Sequence, residues 1–103
     1  MKRVIIESPF RGDTERNIAY ARRAIMDSIS RGEAPFASHL IYTQVLNELV
    51  PHESATGILL GFEWYKVVAA CCVYTDYGIS HGMMLGMEEA IRRRVPIIQR
   101  KIL

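Results

Sequence analysis

Residues 4–21 read VIIESPFRGDTERNIAYA, and the succession of residue types in this stretch decides the fold. Val4, Ile5 and Ile6 are a short apolar run of β-branched side chains, suited to a buried strand. Ser8, Pro9 and Gly12 interrupt it with turn chemistry, and Asp13 is a good helix N-cap with Glu15 in the first turn. Ile18, Ala21, Ile25 and Ile29 then recur at helical spacing with arginines between them, and Gly32 closes the helix. A strand therefore feeds a helix through a loop that carries a serine, an arginine and a glycine. Such a loop serves packing, or it holds something anionic between strand and helix.

The same alternation continues along the chain. Residues 34–38, APFAS, read as a second short strand, with Pro35 suiting an edge position. The segment HLIYTQVLNEL from His39 predicts a short helix ended by Pro51, and residues 57–69 predict a third helix. CCVYT is a third strand, GISHGMML turns into a fourth helix reaching Arg94, and VPIIQRK is the last strand. The order β-α-β-α-α-β-α-β predicts a single-domain α/β fold over residues 1–103, a parallel sheet of about four strands flanked by helices, Rossmann-like or flavodoxin-like. No linker, internal repeat or low-complexity segment divides it.

Composition narrows the class of partner. Of 103 residues, half are hydrophobic and 23% charged, a globular balance with one core. A net charge of +2 with no basic stripe argues against nucleic acid, and Arg92, Arg93 and Arg94 read as the exposed end of a helix. Adjacent Cys71 and Cys72 in an apolar run predict buried thiols and no disulfide. No apolar stretch approaches the ~20 residues of a membrane span and no signal peptide is seen, so a cytoplasmic protein without a membrane partner is expected. Three histidines without ligand spacing predict no metal, and no cofactor is implied.

Ligands of open parallel sheets bind beyond the carboxyl ends of the strands, which selects the loops Ser8–Asp13, Ser38–Tyr42 and Thr75–Met83. Ser8, Arg11 and Gly12 offer a hydroxyl, a guanidinium and backbone amides beside a helix start, a set suited to phosphate or ribose hydroxyls. A solvated arginine in an ordinary β-α turn is the plain alternative. His39 follows the second strand as a ligand contact or a helix cap. In the third loop Gly78 and Gly82 flank Ser80 and His81, which suits close backbone approach to a ligand, although a plain turn serves packing equally well. Met83, Met84 and Met87 line a pocket or fill the core.

Taken together, SPFRGDTERNIAYARRAI, GEAPFASHLIYTQVLN and GISHGMMLGMEEAIRRRVPII resemble the nucleoside 2-deoxyribosyltransferase-like family, closest to small phage and bacterial members of unassigned function. Its members read S-P-Y/F-R/A-G-x-x-x-x-N, then P-x-x-P-H-L, then I-S-x-G-M, in that order. The resemblance implies a pocket for a nucleotide, nucleoside or ribosyl phosphate, with Ser8, Phe10, Arg11, Gly12, His39, Asp76, Ser80, His81, Gly82 and Met83 as ligand-binding residues. Arg11 and the amides after Ser80 would take phosphate oxygens, and Phe10 and His39 would flank the base or sugar. It also implies a glutamate nucleophile on the helix after the S-x-G loop, and that position is Gly86 here. Glu88 and Glu89 are rotated about 200° and 300° from it at ~100° per residue. Ala70 and Gly61 likewise stand where acids are found in related sequences. The expectation is thus a pocket that binds or sequesters its ligand with no catalytic residue identified. The rival is an N-glycosidase or transferase that uses Glu88, Glu89, Glu63 or Asp76.

One expectation concerns assembly. Leu59, Leu60, Phe62, Trp64, Tyr65, Val67 and Val68 occupy nearly the full circumference of a helix, more than one sheet face buries. A homo-oligomer, at least a dimer, is expected, with Trp64 or Tyr65 at or beside the interface.

Overall fold

The computed structural model describes all 103 residues. Four strands, β1 (Arg3–Glu7), β2 (Ala34–Phe36), β3 (Ala70–Tyr74) and β4 (Ile97–Arg100), form one sheet of order β2-β1-β3-β4. Every neighbouring pair is parallel. Three α-helices connect them: α1 (Thr14–Ser30), α2 (Pro51–Glu63) and α3 (His81–Arg92). The fold is the predicted single α/β layer structure, and the strand order is the flavodoxin-like one, with its switch point between β1 and β3.

Period-2 alternation along the central strands divides the core in two. Val4, Ile6, Cys72 and Tyr74 pack with Tyr20 and Ala24 of α1. Ile5, Cys71 and Val73 face the other way, against Tyr65, Met83 and Ala90. The adjacent cysteines thus point to opposite faces of β3, both buried and free. Asp13 caps α1 by accepting from the amide of Arg16 at 3.2 Å. Gly32, at φ +80°, turns the chain out of α1 in the left-handed conformation that a side chain resists.

Two predicted helices are redrawn. The predicted helix from His39 is instead a pair of single 3-10 turns, Ser38–Leu40 and Tyr42–Gln44. Thr43 Oγ1 donates to the carbonyl of His39 at 2.6 Å, and Asn47 Oδ1 accepts from the amide of Leu49 at 3.0 Å. Such local side-chain bonds compete with the helical ladder. Pro51 does not end a helix but begins one, at the first helical position where its missing N–H is harmless. Consequently α2 covers residues 51–63 rather than 57–69, and a 3-10 turn, Trp64–Lys66, leads toward β3. No helix is long and apolar enough to cross a membrane.

Candidate functional site

One cavity of about 470 Å³ opens over the carboxyl ends of the strands, between the β1–α1 loop, the 3-10 turns, α2 and the start of α3. Its size falls within the roughly 300–1,000 Å³ typical of small-molecule sites. Eight of the ten residues predicted from sequence line it: Ser8, Phe10, Arg11, His39, Ser80, His81, Gly82 and Met83. Gly12 and Asp76 lie outside its wall. Gly12 serves the turn, at φ +97°, and Asp76 is turned to the other side of the molecule. There its carboxylate accepts from Tyr20 Oη at 2.6 Å and from the amides of Ile102 and Leu103 at 2.9 Å.

The wall begins at the end of β1. Ser8 is buried, and its Oγ lies 2.7 Å from His39 Nε2. Burial pushes the His39 imidazole down to about 4, so it is neutral at physiological pH and keeps one ring nitrogen as an acceptor. Phe10 meets the same ring edge-on, with centroids 6.4 Å apart. Asn17, buried in α1, fixes this loop by donating to the carbonyls of Phe10 and Arg11, each at 3.0 Å. That is a physical reason for an asparagine five residues after Gly12.

Arg11 is engaged within the chain. Its Nη2 donates to the Glu48 carbonyl at 2.6 Å and to Ser54 Oγ at 2.7 Å, and Nε lies 3.6 Å from the Glu48 carboxylate. The guanidinium therefore ties the β1–α1 loop to the start of α2 across the cavity. Opposite it, Ser80 caps α3, accepting from the Met83 amide at 3.3 Å. The amides of His81 and Gly82 find no acceptor within the chain, and a Cβ added at Gly82 would meet nothing within 4 Å. The start of α3 thus presents two free donors at an open backbone.

The residue that sequence reasoning missed is Glu7. It ends β1 on the same face as Ile5 and lines the cavity. Tyr65 Oη donates to its Oε2 at 2.6 Å and lies 3.6 Å from Cys71 Sγ. Desolvation pushes the Glu7 carboxyl up to about 7, with the Tyr65 hydrogen bond working in the opposite direction. A side chain at position 86 would collide with it. A Cβ there would touch Glu7 Oε2, and would stand 2.6 Å from Glu7 Cδ and 2.8 Å from Tyr65 Oη. The space beside Gly86 is filled by the Glu7 side chain, which reaches it from β1. Period-2 alternation from Ile5, joined to the rule that sites form at strand ends, was the signal that could have found it.

None of the other acids considered from sequence reaches the cavity. Glu89 is buried and accepts from Arg92 and Arg93, both at 2.8 Å, while Glu63 pairs with Lys66 at 2.7 Å. Glu88 is exposed outside the cavity wall. Gly61 lies in the last turn of α2, where a Cβ would stand 2.8 Å from Ser38 Oγ, so its bareness permits close packing. No group of three or more His, Cys, Asp or Glu side chains is placed to hold a metal ion.

Fold and cavity define a small flavodoxin-like α/β domain with one small-molecule-sized site at its sheet switch point. Residues 2–100 match the family described as Domain of unknown function (DUF7768), and the chain belongs to that family. No curated protein and no solved structure matches it.

Proposed function

We propose that the cavity binds a ribosyl-containing small molecule, a nucleoside or nucleotide. The observation that carries this reading is the convergence of Ser8, Phe10, Arg11, His39, Ser80, His81, Gly82 and Met83 on one cavity at the carboxyl ends of the strands. Those residues belong to the three segments that resemble the deoxyribosyltransferase-like family. Ser8 and neutral His39 suit sugar hydroxyls, which both donate and accept. Phe10 and Phe62 offer apolar faces to a base. Phosphate oxygens, where the ligand has them, would meet the free amides of His81 and Gly82, because Arg11 is already engaged. Calorimetry against nucleosides and their 5′-monophosphates tests this: at least one binds, and His39→Ala weakens it about tenfold, a loss of ~1.4 kcal/mol. A complete absence of binding overturns the reading.

A second copy of the chain is the proposed protein partner. Val45 and Leu49 are 78% and 81% exposed, and Trp64, on Phe36 of edge strand β2, is 42% exposed. Tyr65, the alternative contact expected from sequence, is buried beneath the cavity at 3% and takes no part in this surface. Cleavage of the ligand is the second reading of the site, and the position of Glu7 favours it.

A further inference from the structure

An acid side chain stands against α3 at a residue that has no side chain of its own. Glu7 leaves β1 toward α3, and only the bare backbone of Gly86 lets its carboxyl occupy that space. One carboxyl oxygen, Oε2, is held by Tyr65 at 2.6 Å. The other has no hydrogen-bond partner in the chain and belongs to a side chain that lines the cavity. A partly buried carboxyl with one oxygen fixed and the other unpaired, on a residue that lines a ligand-sized space, is placed for proton transfer. It is costly to keep there for packing alone.

We propose that Glu7 is the general base of a hydrolytic reaction in this cavity, activating a water that attacks the anomeric carbon of a ribosyl ligand. The proposal rests on the ribosyl-ligand reading above. In the step, Glu7 Oε1 accepts a proton from water as the water oxygen forms a bond to the anomeric carbon. The glycosidic C–N bond breaks, its electron pair leaving with the base. The proton held by Glu7 then passes through solvent to the departing nitrogen. Ligand and water thus become free sugar and free base, with no other reactant.

The surroundings leave one oxygen of Glu7 available and set when it can take a proton. Tyr65 anchors the carboxyl through Oε2, leaving a single oxygen to exchange protons. The carboxyl also titrates at about 7, where a base both takes and releases a proton readily. Around it, the turn after α2 contributes the Tyr65 phenol and β3 the Cys71 thiol, both kept protonated as burial raises their pKa. From α3 it meets Gly86, and across the cavity His39 stays neutral above about pH 4. Tyr65 is a positioning residue, acting only through Glu7.

The test uses the intact protein with purine and pyrimidine ribonucleosides, 2′-deoxyribonucleosides and their 5′-monophosphates. Free base is measured chromatographically from pH 5 to 9, and binding by calorimetry. Base release from at least one compound is expected, rising with pH through about 7 and then level. Glu7→Gln, which keeps the shape and an acceptor for Tyr65, should slow release by about 10²–10⁴-fold while binding changes little. Tyr65→Phe should move the rising limb to higher pH, since the lost hydrogen bond had been lowering the Glu7 pKa. Binding without release at any pH overturns the role of Glu7 and leaves the binding reading standing. Release that survives Glu7→Gln overturns it equally, and a panel in which nothing binds overturns both.

Discussion

Glu7 and His39 share one cavity and carry opposite electrostatic costs, which makes the pH dependence of stability a residue-scale test of the site. Burial raises Glu7 from 4.5 to about 7, so the folded state holds the proton more tightly than the unfolded state. Its contribution is full below about pH 4.5 and is lost as pH rises to about 7, because the unfolded chain ionises first. His39 is lowered from 6.5 to about 4, so the unfolded chain binds its proton first as pH falls. Stability from neutral His39 is therefore present above about pH 6.5 and lost toward pH 4. The two slopes oppose each other where their windows overlap. Glu7→Gln removes only the first. Relative to the native chain, this variant should gain stability between pH 4.5 and pH 8 by up to about 3 kcal/mol, the linkage value of a two-to-three-unit shift. Urea unfolding at several pH values measures it, and parallel curves for the two proteins would refute the buried carboxyl. Glu33, held down at about 2 chiefly by Arg100, adds a separate loss of stability only below about pH 4.5 in both proteins.

At the scale of elements, Gly86 of α3 and Glu7 of β1 form a complementary pair, and substitution there tests the packing independently of any ligand. In the middle of a helix, alanine ordinarily gains about 1 kcal/mol over glycine. Here the added Cβ would collide with the Glu7 carboxyl and crowd Tyr65 Oη at 2.8 Å. Gly86→Ala should therefore destabilise the native protein by about 1–3 kcal/mol, as overpacking does. With Glu7→Ala already in place, the same substitution should cost clearly less, the Tyr65 Oη contact alone remaining. A double-mutant cycle by chemical denaturation reads the difference, and strictly additive effects would remove the proposed contact. The pair also marks the boundary of what the sequence discloses. Strands with clear apolar runs and a helix with a good cap, β1, β3 and α1, are legible because their signals are local. The segment 39–49 is not, because its form depends on Thr43 and Asn47 bonding to nearby backbone and on Glu53 Oε1 reaching back to the Asn47 amide. Seven of the eight cavity residues were legible from loop chemistry and strand order, and Phe10 through the family resemblance. The place of Glu7 at the end of β1 was legible from its alternation with Ile5, but its surroundings were not, because Tyr65, 58 positions away, and Gly86 of α3 meet it only once the sheet is assembled.

Across the whole molecule, the two faces of the sheet do different work. The face beneath α1 is closed by long-range polar ties: Arg100 meets Glu33 at 2.7 Å, Tyr74 Oη donates to Asp27 at 2.7 Å, and Asp76 holds the backbone of Ile102 and Leu103. The other face carries the cavity, and the surface beside it is left apolar. Trp64 stacks on Phe36 with centroids 4.6 Å apart and donates to Tyr42 Oη at 2.8 Å, so it is rigid as well as partly exposed. Ile41, Val45 and Leu49 extend exposed apolar surface along the segment that contains Tyr42. A rigid aromatic beside loop aliphatics, at the edge of a sheet, has the composition of an interface core. A second copy is the simplest partner, since two-fold self-association lets one patch meet itself. Light scattering at tens of micromolar should therefore give at least twice the 11.7 kDa chain mass. Val45→Lys, at a side chain that the monomer leaves 78% exposed, should lower that mass toward the monomer without changing the unfolding midpoint of the monomeric form. Trp64 is the sole tryptophan, so its emission should shift to the red on dilution as the partner leaves. A monomer mass at tens of micromolar, with emission independent of concentration, would show that this surface faces solvent.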